Sequence, residues 1–323
     1  MNQAAHAGTI GISVRDTALR MTEFCSEDGG NRITRISQGR VRTAFSMTSV
    51  QNQVLVRQYA EDINRLYESG SFQEKNAVFT LDSNMVLLKK IPVDASLKGQ
   101  SLKDHIYWEV EQCVINPLSE YVVAYESLGT AKSRGTTEMA VVIVRRAVVD
   151  FLKEIFKFTV LSLNAIDVDV FAAHRVFLSS HRGQLSDRFS AMIDVRKHDL
   201  QFSIVKAEEF VLSQEVDYSL DGSSLYSEPD NDYRSKFLFK ELRRIILDNK
   251  LGSGVEDMAM IYVYGESIDD SLVKALSSSQ EVRVDRANPF QKIKTAPQAG
   301  NLSTRKHPEA FVVSVGAALK GLK

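Results

Sequence analysis

Apolar and polar positions along the chain follow two periods, one typical of strands and one typical of helices. Short apolar or alternating runs between polar turns predict these strands: Thr9–Val14, Ala18–Phe24, Arg40–Met47, Ala77–Leu81, Met85–Ile91, Tyr121–Leu128, Met139–Arg145, Val160–Val168, Ala191–Val195, Leu200–Lys206, Phe210–Val216 and Met258–Tyr264. Apolar positions at helical spacing predict these helices: Val50–Glu68, one beginning at an N-cap Ser101, Val148–Phe158, one from Asp169 to about Ser180, Phe237–Asn249, Ile268–Leu276, and a last one with Pro308 at its first position.

The turn Asp82-Ser83-Asn84 separates two of the strand-like runs, and we therefore expect a hairpin there. Lys294–His307 is polar and is expected to be a loop. The mixture of strands and helices along the whole chain predicts an α/β protein.

One short pattern occurs twice. Ile12-Ser13-Val14-Arg15 followed by Leu19 matches Ile193-Asp194-Val195-Arg196 followed by Leu200, in the same register. Each copy ends a predicted strand, turns through polar residues and begins another strand. A strand–turn–strand unit that is used twice indicates two related halves that face each other.

Composition excludes several classes of protein. The chain has 323 residues, of which 44% are hydrophobic and 25% are charged, and its formal net charge is −1. These values are ordinary for a globular protein, and they provide no basic field that would attract nucleic acid or anionic lipid. Met1–Gly8 lacks the apolar segment of a signal peptide, and no apolar run is long enough to cross a bilayer, so we expect a soluble protein.

The chain offers few candidates for catalysis or metal binding. Cys25 and Cys113 are too far apart in sequence for a paired metal or redox motif, and we expect reduced thiols. The six histidines show no ligand pattern apart from a coarse match between His174 and His181. No Gly-x-Ser-x-Gly elbow is present. We therefore predict no catalytic residue and no metal ligand.

Several motifs, taken in order, resemble the type IV pilus assembly protein PilM family, which is related to the cell-division protein FtsA. They are Gly11-Ile12-Ser13-Val14 with Leu19 and Glu23, Lys90-Ile91-Pro92-Val93, Trp108-Glu109 with Glu111, Asn116-Pro117-Leu118, Val141–Arg146, Asn164–Asp169, Ile193-Asp194, Asn288-Pro289-Phe290, and Pro308-Glu309 with Gly316-Ala317-Ala318-Leu319. The resemblance covers nearly the whole chain.

The resemblance implies an actin/hexokinase-type, ribonuclease H-like duplicated fold with two α/β halves around a cleft. The first half would span residues 1–168, with a small subdomain inserted at about 40–120. The second half would span residues 169–323 and include an exposed loop at 217–235. The helical subdomain that covers the nucleotide base in this family would be reduced, because the segment before Met258 is short.

The resemblance also implies an ATP and magnesium site in the cleft, and this sequence departs from the family pattern at three places. In the first turn, Ser13 stands where the family has an acidic residue and Arg15 stands where it has glycine; Thr17 completes that turn. In the second turn, Asp194 is retained but Arg196 replaces glycine. The third place has the single glycine Gly265, followed by the acidic Glu266.

Two interpretations of the arginines remain open. Arg15 and Arg196 either bind phosphate directly as charged forks, or they form salt bridges in a closed cleft. We favour the second, because bulky side chains at both turns block the backbone approach that phosphate binding needs. Asp194 is likewise either a magnesium carboxylate or a hydrogen-bonded residue at a strand end, and we favour the structural role. No cofactor is therefore expected, with ATP and magnesium as the alternative.

The resemblance implies a role at the cytoplasmic face of the inner membrane, where the family binds the short cytoplasmic tail of the bitopic protein PilN. Met85, Leu87, Lys89 and Trp108 are the candidate contact residues, with core packing as their alternative role. Pilus motor or platform proteins are further candidate partners, and self-association is left open. Membrane contact would come only through a partner.

We therefore predict a non-enzymatic scaffold or adaptor of the pilus assembly complex with a degenerate nucleotide site. The alternatives are an ATP-binding, weakly hydrolysing actin-like protein, an FtsA-like division protein, and the cytoplasmic part of a type II secretion L protein. The last two rank lower, because the chain ends without an amphipathic membrane helix or a transmembrane span.

Overall fold

The computed structural model describes residues 8–27, 30–128, 135–218, 230–278, 282–297, 299–300, 304 and 306–322. Its strands are β1 (Gly8–Arg15), β2 (Ala18–Glu27), β3 (Gly30–Arg40), β4 (Asn76–Leu81), β5 (Val86–Asp94), β6 (Tyr121–Ser127), β7 (Thr136–Arg145), β8 (Ser162–Val168), β9 (Phe189–Val195), β10 (Asp199–Lys206), β11 (Glu209–Asp217), β12 (Met260–Tyr264), β13 (Val284–Arg286) and β14 (Lys294–Thr295).

The α-helices are α1 (Met47–Val50), α2 (Leu55–Ser69), α3 (Gly99–Glu111), α4 (Arg146–Lys157), α5 (Asp169–His181), α6 (Asn231–Asp248), α7 (Asp270–Ser278) and α8 (Val312–Lys320). Short 3₁₀ turns lie at Ser83–Met85, Leu118–Glu120, Val255–Asp257 and Pro308–Phe311. Among the described residues, none of the helices combines the length and the apolar character that a bilayer crossing requires.

Two of the three sheets share one topology. The first has the strand order β14-β3-β2-β1-β4-β8 and the second has β11-β10-β9-β12-β13. In each sheet three antiparallel strands are followed by two that run parallel to the first of them. The order 3-2-1-4-5 is therefore used twice, and the duplicated α/β fold predicted from the sequence is confirmed. We call the two sheets with their helices the first half and the second half.

The repeated sequence pattern lies where this duplication requires it. Val14 pairs with Leu19 across the turn between β1 and β2, and Val195 pairs with Leu200 across the turn between β9 and β10. Arg15 and Arg196 therefore occupy equivalent positions. The loop predicted at 217–235 lies partly outside the described residues, and within them α6 already begins at Asn231.

The third sheet, with the order β5-β7-β6, is small and belongs to the first half. Its odd-numbered apolar residues, among them Ile91 and Val141, pack against Ile106 and Val110 of α3. The even-numbered residues point to the opposite face.

A shared apolar core lies between the two main sheets. It joins Phe24 of the first sheet and Tyr262 of the second to residues of α5 and α8. Gly316 of α8 makes this close packing possible, because a Cβ there would lie 1.9 Å from the carbonyl oxygen of Ala172 in α5. The chain thus returns to the first half at its end: β14 pairs with β3, and α8 packs on β1. Two elements of the predicted 169–323 half therefore contact the first sheet, and the division at residue 168 stays a prediction.

Several local predictions were wrong. Ala77–Leu81 and Met85–Ile91 do not form a hairpin, since β4 pairs in parallel with β1 while β5 pairs with β7 in another sheet. The strand expected over Arg40–Met47 is absent: β3 already ends at Arg40, and α1 begins at Met47. Ser101 is not an N-cap: α3 begins at Gly99, and the Ser101 hydroxyl donates to the carbonyl of Lys98.

Candidate functional site

The carboxyl ends of β1, β4, β8 and β9 meet in the cleft between the two halves. β1 ends at Arg15, β4 is followed by Asp82, β8 leads into Asp169 at the start of α5, and β9 carries Asp194 near its end. In open α/β sheets this edge is where ligands bind. In this protein the side chains bind one another.

Arg15 lies at the centre of this cluster. Its guanidinium donates to Asp82, to Oδ2 of Asp169 at 2.6 Å and to Oδ2 of Asp194 at 3.3 Å. Asp169 also accepts from the backbone N–H of Ser83 at 3.1 Å, so the start of α5 is tied to the turn after β4.

Arg196 enters the same cluster from the second half and is buried. Its guanidinium donates to Asp194 at 3.0 Å and to Asp169 at 3.2 Å, and it lies 3.8 Å from Asp82. At the rim it also donates to Asp199 and Glu215, each at 3.0 Å.

Three inner carboxylates surround two guanidiniums, so the inner cluster carries one excess negative charge when all groups are ionised. Burial, and next the charge on Asp82, raises the pKa of Asp169 to about 6. Burial likewise raises the pKa of Asp199 to about 6. Burial alone would raise the pKa of Asp82, but the charges of Arg15 and Arg196 outweigh burial and lower this pKa.

The third predicted place, Tyr264-Gly265-Glu266, closes the cleft from the second half. Gly265 has φ +117°, and a Cβ there would lie 2.4 Å from Oδ1 of Asp194, so only glycine fits. Glu266 reaches across the cleft and accepts from Arg20 of β2 at 2.9 Å. The acidic residue that the sequence placed near an incoming phosphate is therefore paired with an arginine of the first half.

The cavity at the centre of the cleft measures about 30 Å³ and is lined by Ser13, Arg15, Asp194, Arg196, Gly265 and their neighbours. Small-molecule pockets commonly measure about 300–1,000 Å³. In this arrangement the guanidiniums of Arg15 and Arg196 lie between the carboxylates and pair with the oxygens that a magnesium ion would need. Among the described residues, no group of His, Cys, Asp or Glu is arranged to hold a metal ion.

Thr17 is the one predicted cleft residue that lies elsewhere. It lines a neighbouring open cavity of about 540 Å³ on the outer side of the two turns. Arg40, Lys197 and His198 also line this cavity, and Glu266 and Asp16 supply acidic groups.

A second concave site is apolar and lies between the small sheet and β8. Its volume is about 530 Å³. It is lined by the even-numbered face of the small sheet (Val86, Val122, Ala124, Val142 and Val144), by α4 and by the whole of β8. We call it the β8 groove. β8 is the last strand of the first sheet and β6 is the last strand of the small sheet, so two sheet edges border the groove.

The residues that the sequence suggested for partner binding lie on the other side of the small sheet. Met85 is buried, and it lines a separate cavity of about 430 Å³ together with the half-exposed Leu87. Lys89 is exposed on the same alternation, and Trp108 projects from α3 with 57% of its surface exposed. None of the four lines the β8 groove. Their role in partner binding stays a prediction.

Sequence reasoning missed Asp82 and Asp169 as members of the cleft cluster. A signal was present, because each follows a strand that runs parallel to β1, so both had to reach the edge where Arg15 lies. The lining of the β8 groove could not be assigned, because the hairpin prediction joined β5 to the wrong sheet.

The fold is actin-like: two copies of one α/β unit lie on either side of a cleft, and ion pairs fill the centre of that cleft. The sequence also matches the family described as Type IV pilus assembly protein PilM, over residues 11–236. The chain belongs to this family.

Comparison with solved structures finds similar chains. A structure titled as a PilM–PilN type IV pilus biogenesis complex is similar over 98% of both chains, with a TM-score of 0.80 and 16% sequence identity. A Bacteroides thetaiotaomicron protein with an actin-like ATPase fold covers 97% of this chain and 98% of its own, with a TM-score of 0.45 and 10% identity. The cytoplasmic domain of EpsL from the Vibrio cholerae type II secretion system covers 97% and 94%, with a TM-score of 0.43 and 13% identity.

Proposed function

We propose that this protein is a non-enzymatic scaffold of a type IV pilus assembly complex, and that its β8 groove binds the cytoplasmic tail of a PilN-like bitopic membrane protein. The protein would work at the inner face of the inner membrane and reach that membrane through its partner. Family membership and the PilN chain in the similar solved complex support the partner class.

The observation that carries the proposal is the shape and chemistry of the groove. An extended peptide can place apolar side chains against Val122, Val142 and Val144. Its backbone can reach an edge strand, because β8 pairs with β4 on one side alone within the described sheet. Lys153 and Lys157 stand at the rim, where they favour an acidic or carboxyl group on the peptide.

The nucleotide site is degenerate in this proposal. Arg15 and Arg196 occupy the two turns at which backbone N–H groups would have to approach phosphate, and their guanidiniums pair with Asp82, Asp169 and Asp194. This supports the salt-bridged interpretation of the arginines over direct phosphate binding.

One observation favours a second candidate, weak nucleotide binding. The open cavity beside Thr17 has room for a small ligand, and Arg40 and Lys197 contribute positive charge to it. Calorimetric titration with magnesium ATP separates the two candidates. The scaffold proposal predicts no heat of binding at millimolar nucleotide, whereas saturable micromolar binding that Lys197→Glu abolishes would establish the second candidate.

The groove is tested with a synthetic peptide of the cytoplasmic tail of a PilN-like protein from the same organism. Ala124 is exposed at the groove, and Ala124→Trp should fill it and weaken binding at least tenfold. Leu87→Ala, on the opposite face of the same sheet, is the matched control and should bind as the wild type does. The reverse pattern, with Leu87→Ala weakened and Ala124→Trp unaffected, would move the partner site to the α3 face.

A further inference from the structure

Several side chains reach across the cleft in pairs that the internal duplication relates. Ser13 pairs with Arg20 in the first sheet, and Asp194 pairs with Gln201 in the second, so Arg20 and Gln201 are equivalent positions. Arg20 donates to Glu266 of the second half at 2.9 Å. Gln201 lies 3.2 Å from the Ser83 hydroxyl of the first half. In each half, the residue at this position of the second strand thus contacts the loop that follows the fourth strand of the other half.

The equivalent arginines at the turns cross the cleft in the same reciprocal way. Arg15 of the first half donates to Asp194 of the second, and Arg196 of the second half lies 3.8 Å from Asp82 of the first. Both guanidiniums also contact Asp169, with which the helix joining the two halves begins. Every inner carboxylate therefore contacts an arginine of the opposite half or of both halves.

The two arginines offset most of the charge of the inner carboxylates while the cleft is closed. Without the guanidiniums, Asp82, Asp169 and Asp194 would be three buried carboxylates in one cavity, which is strongly unfavourable. Their mutual repulsion could then be reduced only by protonation, by an added cation or by opening of the cleft. With the guanidiniums present, two of the three negative charges are balanced in the closed cleft, and no cation from solution is needed.

We propose that Arg15 and Arg196 form a latch that holds the two halves closed without nucleotide, so that the protein presents its surfaces at one fixed interdomain angle. Arg20–Glu266 and Gln201–Ser83 are the outer clasps of the latch. This inference rests on the proposed function, a scaffold in which ATP controls no step.

Distance measurement across the cleft tests the latch. Spin labels are attached at Ser101→Cys on α3 and Leu247→Cys on α6, both exposed, in a background with Cys25→Ser and Cys113→Ser. Pulsed electron double resonance then reports the distance distribution between the two halves. The wild-type cleft should give one narrow distribution that magnesium ATP leaves unchanged. Arg15→Ala combined with Arg196→Ala should broaden it and shift it to longer distances.

Arg42→Ala is the matched control, because its partners Glu61 and Asp62 lie in the same half as Arg42, and it should leave the distribution unchanged. If the double variant does not fold, the single variants Arg15→Gln and Arg20→Ala serve instead, and each should broaden the distribution in part. A folded variant that keeps the wild-type distance would overturn the latch. A shift of the wild-type protein by magnesium ATP would overturn the nucleotide-free scaffold, while the arginine variants would still decide whether the latch exists.

Discussion

Arg15 and Arg196 occupy the same position in the two copies of one strand–turn–strand unit, and both donate to the same oxygen of Asp194. Glycine at such turns lets a phosphate approach the backbone. Arginine at both turns places two positive charges in the cleft permanently, and three carboxylates converge on them. The duplication that defines the fold thus also defines the chemistry of the cleft.

Removal of Arg196 should destabilise the protein strongly. Arg196→Ala leaves Asp194 and Asp169 buried with one guanidinium to share, and breaking a buried ion pair commonly costs about 3–5 kcal/mol. Urea denaturation measures the loss of unfolding free energy. Arg283→Ala is the control, because Arg283 forms an exposed pair with Asp285 that contributes less than about 1 kcal/mol. Equal effects of the two substitutions would contradict a stabilising cluster.

Gly265→Ala should disrupt the close approach of the loop Tyr264-Gly265-Glu266 to Asp194. The new Cβ would lie 2.4 Å from Oδ1 of Asp194 and 2.5 Å from the carbonyl oxygen of Val195. Gly99→Ala isolates the cost of backbone conformation, because Gly99 has φ +56° with open space around its Cβ position. We expect Gly99→Ala to cost about 1–2 kcal/mol and Gly265→Ala to cost clearly more. Equal losses of unfolding free energy would show that the close approach is not a constraint.

The stability of the protein should depend on the ionisation of Asp169. Its pKa is raised from the ordinary 3.8 to about 6, so the folded state holds a proton that the unfolded state has already released. The stability that this bound proton contributes is fully present below about pH 4 and is lost as the pH rises to about 6. The Asp169→Asn variant should therefore gain stability relative to the wild type as the pH rises from about 4 to about 6.

Urea denaturation of both proteins at several pH values checks this expectation. Asp199 has a pKa that is raised in the same direction, but it is present in both proteins and cancels in the comparison. A difference between wild type and variant that does not change with pH would mean that Asp169 is ionised throughout.

The sequence predicted the duplicated fold because a matching pattern marks both turns. Of the residues that it assigned to the cleft, the structure places all but Thr17 there. It missed Asp82 and Asp169, although each follows a strand that runs parallel to β1 or to its neighbour β4 and so reaches the same edge of the sheet. The hairpin error has a local cause: β4 and β5 are both apolar runs with a polar turn between them. Five consecutive buried residues in β4 are typical of a central parallel strand, which is the signal that separates the two.

The side of the small sheet that faces the β8 groove was also beyond prediction. Leu87 and Val86 are both apolar and adjacent, and their alternation alone does not say which one α3 covers. The answer depends on the odd-numbered contacts of Ile91 and Val141 with Ile106, which join residues far apart in sequence.

The central claim is that the protein binds its partner through the β8 groove without any contribution from nucleotide. Calorimetric titration of the PilN-like tail peptide into the protein, with and without millimolar magnesium ATP, tests it most directly. We predict saturable binding with the same dissociation constant in both conditions. Binding that appears only with magnesium ATP, or changes tenfold or more with it, would contradict the account.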